Sequence, residues 1–478
     1  MRLLKILHLA VIVTLFPSCA LIGPDFSRPT VEMPAQYSGT TLSQDKLVIS
    51  DKWWTLYEDS TLNTLIDKAL RNNTDIKRAV ARIEETDGFA REVGTTLFPQ
   101  FDLDGSAAHS RVTQLGATPQ AVISQPVRNN FRATVGTSFE IDFWGKLRRA
   151  KESARAQALS SRYAKDTVSL SLTSLIVNNY LQLRSLEAQI TLSRDNLNSR
   201  NESLALTRRR LDGGIASNLD VQQAQVASSN LTAQIVELER QREIIFHQLA
   251  LLTGDLDLTL AESNIKNLPI PPTPPAGLPS SLLESRPDVA QAEEDLVSAN
   301  ANIGVAKAAL YPTISLTGFF GGESKDLGDI LKSAARIWST GVSLKLPIFD
   351  FGRLNSRVDQ VTAVQKQVLA SYEGAVQKAF TEVNDALVNV RQNSEREIAL
   401  DRSQKSAKEA LRISENRYKS GYTTYLEVLD AQRVYNDASI SFIQSRQARL
   451  TASVGLFKAL GGGWKASQLI DTQVNSTK

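Results

Sequence analysis

The chain has 478 residues, with 54 Lys and Arg against 51 Asp and Glu. A formal charge of +3 over that length leaves no electrostatic footprint for a nucleic-acid partner. A single cysteine, Cys19, excludes an internal disulfide, and the three histidines (His8, His109, His247) form no metal-ligand pattern.

The first element is an export signal over 1–18. Arg2 and Lys5 supply the basic region, and Leu7 to Phe16 is mostly apolar. That stretch falls well short of the about 20 apolar residues a spanning helix needs. It ends at Phe16-Pro17-Ser18-Cys19, which resembles a bacterial lipobox with Phe16 in place of the usual leucine. The expectation is lipidation of Cys19, a covalent lipid being the only attached group foreseen and no cofactor. Ala20 follows the cysteine rather than an aspartate, which favours outer-membrane delivery. A lipid of this kind tethers a protein without making it span. Residues 19–60 read as a lipid-anchored extended segment. No later stretch reaches about 18 uninterrupted apolar residues, so no transmembrane helix is expected after processing.

The remainder is written twice. Gly145 of Asp142-Phe143-Trp144-Gly145-Lys146 and Gly352 of Phe349-Asp350-Phe351-Gly352-Arg353 lie 207 residues apart. The same offset relates Arg210-Leu211-Asp212-Gly213-Gly214, with Leu219-Asp220-Val221, to Arg417-Tyr418-Lys419-Ser420-Gly421, with Leu426-Glu427-Val428. Upstream, Asp75 and Pro99 are 24 residues apart, as are Asp288 and Pro312. Three markers in one order indicate a duplication.

The first repeat covers 61–253. A helical run over Leu62–Leu97 stops at Pro99. Strands follow at Gln100–Arg111 and Phe131–Asp142, joined by a polar loop, Val112–Asn130. In the second strand Phe131, Ala133, Val135, Phe139 and Ile141 share one parity, while Arg132, Glu140 and Asp142 share the other. Such alternation fits a membrane barrel and equally a half-buried soluble sheet. A helix from Gly145 to about Arg209 would reach roughly 95 Å at 1.5 Å per residue. Leu183, Ile190, Leu197 and Leu204 recur every seven residues, and Leu231, Ile235, Leu238, Ile245, Leu249 and Leu252 continue at 3-4 spacing after a turn. This is a coiled-coil seam. A proline-rich linker, 254–281, joins the copies and is expected to be extended and non-helical. The second repeat, 282–460, has a helical run Leu282–Leu310, strands at 313–320 and 340–349 around the loop Gly321–Ser339, and a long helix Arg353–Tyr418 broken only by Gly374. The tail, 461–478, reads as flexible.

Four strands cannot close a barrel, and open sheet edges are costly in lipid. If the strands lie in a membrane, several chains must pool them. Three chains would supply twelve strands, an even number.

The motifs together resemble the TolC-like outer-membrane factors, in the lipoprotein branch called the NodT type. The matching residues are Cys19, Gly23-Pro24-Asp25-Phe26, Arg28-Pro29, Trp53-Trp54 and Leu62, then Phe98-Pro99 and Asp142-Phe143-Trp144-Gly145-Lys146. Ser285-Arg286-Pro287-Asp288-Val289, Tyr311-Pro312 and Phe349-Asp350-Phe351-Gly352-Arg353 follow. The last are Tyr418-Lys419-Ser420-Gly421 and Tyr425-Leu426-Glu427-Val428-Leu429-Asp430-Ala431-Gln432-Arg433. The resemblance implies a mixed α and β membrane protein. Its trimer would hold a twelve-stranded outer-membrane β-barrel, four strands per chain, continuous with a periplasmic α-helical barrel. It implies an exit duct for drugs and similar compounds, working with an inner-membrane RND transporter and a periplasmic adaptor. No enzymatic activity is expected.

Two turns are candidate sites in their own right, because glycine permits a sharp reversal at Gly213-Gly214 and at Gly421. The resemblance makes these turns, with Tyr418, the tip that meets the adaptor. It also puts Leu426, Asp430 and Arg433 in a ring at the closed periplasmic end. Leu426 would be an apolar constriction, and Asp430 and Arg433 polar contacts that break on opening. Read from the residues alone, Asp430 and Arg433 are equally an ordinary surface i,i+3 pair. Trp144 and Trp338 fit an aromatic girdle or the packing of a sheet-to-helix junction. Two other functions compete: an outer-membrane factor for metal-ion efflux or type I secretion, and a non-channel lipoprotein rod. Only two methionines, Met1 and Met33, count against a methionine-lined metal route.

Overall fold

In the computed structural model the described residues are 21–37, 50–111, 113, 127–261, 264–274 and 282–465. The signal over 1–18, Cys19, nearly all of the loop between the first two strands, and the tail after 465 lie outside them. The chain divides into two compact units. One comprises residues up to Pro29 with Ile83–Ser161 and Ala292–Tyr372; the other comprises Thr30–Arg82, Arg162–Gln291 and the chain from Glu373.

The helices of the first repeat are α1 (Ser60–Asn72), α2 (Thr74–Thr95), α3 (Lys146–Asp212) and α4 (Asn218–Thr253). Those of the second are α5 (Leu282–Ser285), α6 (Pro287–Ala308), α7 (Arg353–Lys419) and α8 (Tyr425–Ala459). Each expected first helical run is therefore two helices, broken at Asn73 and at Arg286. The reasons differ. Asn73 leaves the helix to accept from Asp75 N at 2.8 Å through Oδ1, while its Nδ2 donates to Leu252 O at 2.9 Å. Arg286 precedes Pro287, whose ring disfavours the helical conformation before it. Gly374 does not interrupt α7, which runs unbroken for 67 residues. Among described residues no helix is long and apolar enough to cross a membrane.

The strands form one antiparallel sheet in the order β1 (Gln100–Arg111), β2 (Val127–Ile141), β3 (Thr313–Ser324), β4 (Arg336–Lys345). β1 has its expected bounds. β2 begins four residues early, β3 continues four residues further, and β4 starts at 336 and stops before Pro347, which lacks the N–H a ladder needs. Cross-strand pairing puts Leu103, Val135, Phe320 and Trp338 in one row. Phe139, Leu316 and Val342 make another row on the same face. The opposite face carries Asp104, Thr134, Gly321 and Ile337 in register, and Arg132, whose guanidinium lies 4.7 Å from the Phe319 ring and 3.7 Å from Glu323. One apolar and one mainly polar face is the pattern of a lipid-facing barrel wall. Both edge strands are exposed along almost their whole length.

The second unit has the larger core. Trp53 and Tyr57, in a short 3-10 turn, pack with Leu62, Leu65 and Ile66 of α1 against Ile176, Tyr180 and Leu181 of α3. Phe457 of α8 stacks on Trp53 at 5.3 Å. The heptad positions Leu183, Ile190 and Leu204 are buried as the spacing requires, and Leu197 is half-buried. Among its described residues the linker is non-helical apart from a 3-10 turn at Ile265–Asn267. The glycine-rich start of the tail is packed rather than loose. Gly461 and Gly462 are buried, and Trp464 Nε1 donates to Asp166 Oδ2 at 3.0 Å.

The two tryptophans separate. Trp144 sits at the junction, with Nε1 donating to Pro312 O at 2.8 Å and its ring 4.8 Å from Tyr311. Trp338 stands exposed on β4, in the apolar row.

Candidate functional site

The helix-to-helix turns are built alike. At the end of α3, Gly214 has φ +73; its N–H donates to Leu211 O and Ile215 N–H to Arg210 O, both at 2.9 Å. At the end of α7, Gly421 has φ +79; its N–H donates to Tyr418 O at 3.1 Å and Tyr422 N–H to Arg417 O at 2.8 Å. Both are helix terminations that need a left-handed residue, which glycine supplies without a Cβ clash. Gly213 is not that residue: its N–H continues the helix, donating to Arg209 O at 3.1 Å. α4 then opens on a capping box, with Ser217 accepting from Leu219 N and Asp220 accepting from Ser217 N.

Around these turns lies a small apolar cluster: Leu204 on α3, Val221 and Ala224 on α4, Tyr418 on α7, and Tyr425 and Val428 on α8. Tyr418 is therefore buried, with its ring 5.6 Å from Tyr425. Burial, with Tyr418 beside it, pushes the Tyr425 hydroxyl up to about 12. Arg210 crosses from the first turn to the second. Its Cζ lies 4.2 Å from the Tyr418 ring centroid and its Nη2 donates to Tyr418 O at 3.2 Å.

Outside the cluster, Ile215, Leu219, Tyr422 and Leu426 are all exposed. Leu219 and Leu426 are equivalents at the 207-residue offset, as are Ile215 and Tyr422. The offset was the signal that could have added Ile215, Leu219 and Tyr422 to the candidates. On α8, Leu426, Asp430 and Arg433 form one solvent-facing stripe. Arg433 Nη2 donates to Asp430 Oδ1 at 2.8 Å, and its Nη1 lies 3.6 Å from Asp437. The hydrogen bond to Asp430, then its charge, holds the Arg433 guanidinium above its ordinary value.

A groove of about 380 Å³ between α3, α7 and α8 is lined by Arg200, Lys405, Lys408, Glu409, Arg412 and Glu415 among others. Arg200 is 9% exposed and donates to Ala227 O at 2.8 Å. Among described residues no group of three or more His, Cys, Asp and Glu side chains is arranged to hold a metal ion.

The sequence profile of the family described as outer membrane efflux protein matches residues 65–255 and 278–462, one stretch in each repeat. The probable efflux pump outer membrane protein TtgC of Pseudomonas putida is 33% identical over 470 residues, 96% of each chain. The cation efflux system protein CusC of Escherichia coli is 30% identical over 459 residues, 94% of this chain and 96% of that one. The solved outer-membrane channel OprN has the same fold, with a TM-score of 0.86 at 30% identity over 93% of this chain and 99% of that one. These likenesses set aside the non-channel rod and put the protein in the outer membrane as an efflux channel. The chain belongs to the outer membrane efflux protein family.

Proposed function

We propose that three copies assemble into one duct, pooling their sheets into a twelve-stranded barrel and their long helices into a helical one. The duct is the passive exit of a tripartite pump, fed by an inner-membrane transporter of the RND type through a periplasmic adaptor. The observation that carries this reading is the open four-stranded sheet, apolar on one face and mainly polar on the other, with both edges unpaired in the single chain. Closing it across copies satisfies those edges. Lipid on Cys19 would tether each chain to the same membrane.

In this reading Leu426, Asp430 and Arg433 form the periplasmic gate, and the turns at Gly214 and Gly421 meet the adaptor through the exposed Ile215, Leu219 and Tyr422. The cargo is small molecules of the kind multidrug pumps move.

Single-channel conductance in planar bilayers tests the duct and its gate together, comparing wild type with Asp430→Ala plus Arg433→Ala. Rare or small openings in wild type and larger ones in the variant are the expected result. Equal conductance in both proteins overturns the gate, and no conductance in either overturns the duct.

A further inference from the structure

The sheet sorts its charges by face. On the parity of Asp104, Thr134 and Gly321 stand acids and bases together, among them Asp102, Arg132, Glu140, Glu323 and Lys345. On the apolar parity the only acidic or basic side chains apart from His109 are Arg111 and Arg336. Both are cations, and both stand at the strand ends that lie away from the helices. The loop from β3 to β4, 325–335, is folded at that end rather than open. Asp329 N–H donates to Asp326 O at 3.0 Å, Lys332 N–H to Asp329 O at 2.9 Å and Ala335 N–H to Lys332 O at 3.0 Å. Gly322 fixes which side of the sheet the loop takes. A Cβ there would stand 2.1 Å from Ile330 O, so only glycine lets the loop come this close. Gly322 shares the parity of Phe320 and Leu316, the apolar side. A Cβ at Gly321, on the other side, would first meet Ala133 and Thr134 of β2. Beside Ile330, Leu331 is 91% exposed, and Leu327 is 64% exposed.

We propose that the outward side of this hairpin end binds a phosphorylated glycolipid of the outer leaflet. Arg336, with Lys325, takes the phosphate, and Leu327 and Leu331 enter the acyl layer beside it. This rests on the duct proposed above, whose apolar sheet face meets lipid.

Three observations support it. The first is continuity. Phe320 pairs with Trp338, and the next pair on the same face is Gly322 with Arg336. A tryptophan suits the edge of the hydrocarbon, and a residue two positions further along a strand lies roughly 7 Å beyond it, where lipid phosphates begin. The lipid-facing wall therefore runs without a break into the arginine and the loop. The second is charge. Lys332 lies 2.6 Å from Asp329, which leaves that acid neutralised. Among the described residues Arg336 and Lys325 have no ion-pair partner. A guanidinium offers two parallel donors to a phosphate, and no carboxylate shares its face of the sheet to compete. The third is the placing of the two leucines. A lid over the lumen would have to cross the polar face at Gly321. The loop instead crosses at Gly322, so Leu327 and Leu331 are carried on the side where acyl chains meet Phe320 and Trp338.

The test uses the full chain, extracted from outer membranes and returned to phosphatidylethanolamine vesicles containing lipid A. Lipid A retained through a detergent wash is counted per chain by mass spectrometry. Arg336→Gln with Lys325→Gln should retain at least about fivefold less than wild type, and Arg128→Gln, on the polar face, as much as wild type. Equal retention by the double variant overturns the phosphate site. Vesicles with phosphatidylglycerol in place of lipid A separate the two phosphate sources, and equal retention of both lipids by wild type overturns the choice of glycolipid. A second measurement leaves both cations in place. A nitroxide is attached to Leu331→Cys; Cys19, the only native cysteine, carries lipid in this reading and takes no label. Faster relaxation by oxygen than by a water-soluble nickel chelate is the expected result. The reverse puts the loop in water and overturns its place in the acyl layer. Conductance of the same samples reports on the duct separately. Loss of the lipid site with conductance intact overturns this inference alone, whereas wild type without conductance overturns the duct whatever lipid it retains.

Discussion

Arg210 and Tyr418 hold the two helical turns to each other: the guanidinium carbon is 4.2 Å from the ring centroid and Nη2 donates to the tyrosine carbonyl at 3.2 Å. The contact joins α3 of the first repeat to α7 of the second, so it must be kept or broken as a unit when the tips move. A cation over an aromatic face contributes about 1 kcal/mol when partly shielded from water. Arg210→Ala should raise the frequency of channel opening about five-fold, with Arg210→Lys between it and wild type. Unchanged open probability in single-channel records would remove Arg210 from the closure.

Gly214 and Gly421 carry the positive φ that ends α3 and α7, and nothing lies within 4 Å of where a Cβ would be. Space is therefore not the constraint; backbone conformation is. Gly421→Ala should cost about 1 kcal/mol, paid in the last turn of α7. Hydrogen exchange over 416–424 should quicken several-fold while the core around Trp53 is unaffected. Gly213→Ala, where the chain is still helical, should leave the exchange unchanged.

Arg286 ends one helix and binds three partners. Its side chain donates to Asp288 at 2.6 Å, Glu382 at 2.7 Å and Ala459 O at 2.9 Å. Burial raises the Asp288 carboxyl, but hydrogen bonds from Arg286 and its charge outweigh that and hold it below its ordinary value. A depressed folded value means that stability is present above the unfolded pKa of about 4 and is lost as pH falls through the folded value. Arg286→Ala should cost about 2 kcal/mol at pH 7, allowing for the partial exposure of both carboxylates. It should also flatten the acid limb of a thermal melting series below pH 4.

Glu294 of α6 has the opposite sign. Burial first, then the neighbouring Glu293 and Asp295, push its carboxyl up to about 7 against the pull of Arg155. Between its ordinary value of 4.5 and about 7, the folded chain keeps a proton that the unfolded chain has released. Stability therefore falls as pH rises through that window and is level above it. Glu294→Gln should raise stability by about 2 kcal/mol at pH 8 and by little at pH 4.5. Parallel melting curves for the two proteins from pH 4.5 to 8 would show that Glu294 is solvated in the assembled protein.

Local chemistry made most of the fold legible before any coordinates. The long helices follow from uninterrupted helix formers, their buried seams from heptad spacing, and β1 from the proline that precedes it. The break at Arg286 was legible in the proline that follows it, Pro287. The break at Asn73 depends on a partner distant in sequence, Leu252, which a helix-rich window does not reveal. The packing of the first residues of the tail was hidden for the same reason, since Gly461 approaches the carbonyl of Ser285 too closely for any side chain.

The sequence by itself determined the duplication, the positions of both turns and the alternation of the strands, because these depend on spacing and backbone preference within short windows. Only the tertiary structure decided that Tyr418 is buried while Leu426 is exposed. It also separated Trp144 at a junction from Trp338 on an apolar face. Each of those outcomes is set by what lies across from a residue, and a partner brought from 100 or 200 residues away leaves no mark on the local pattern.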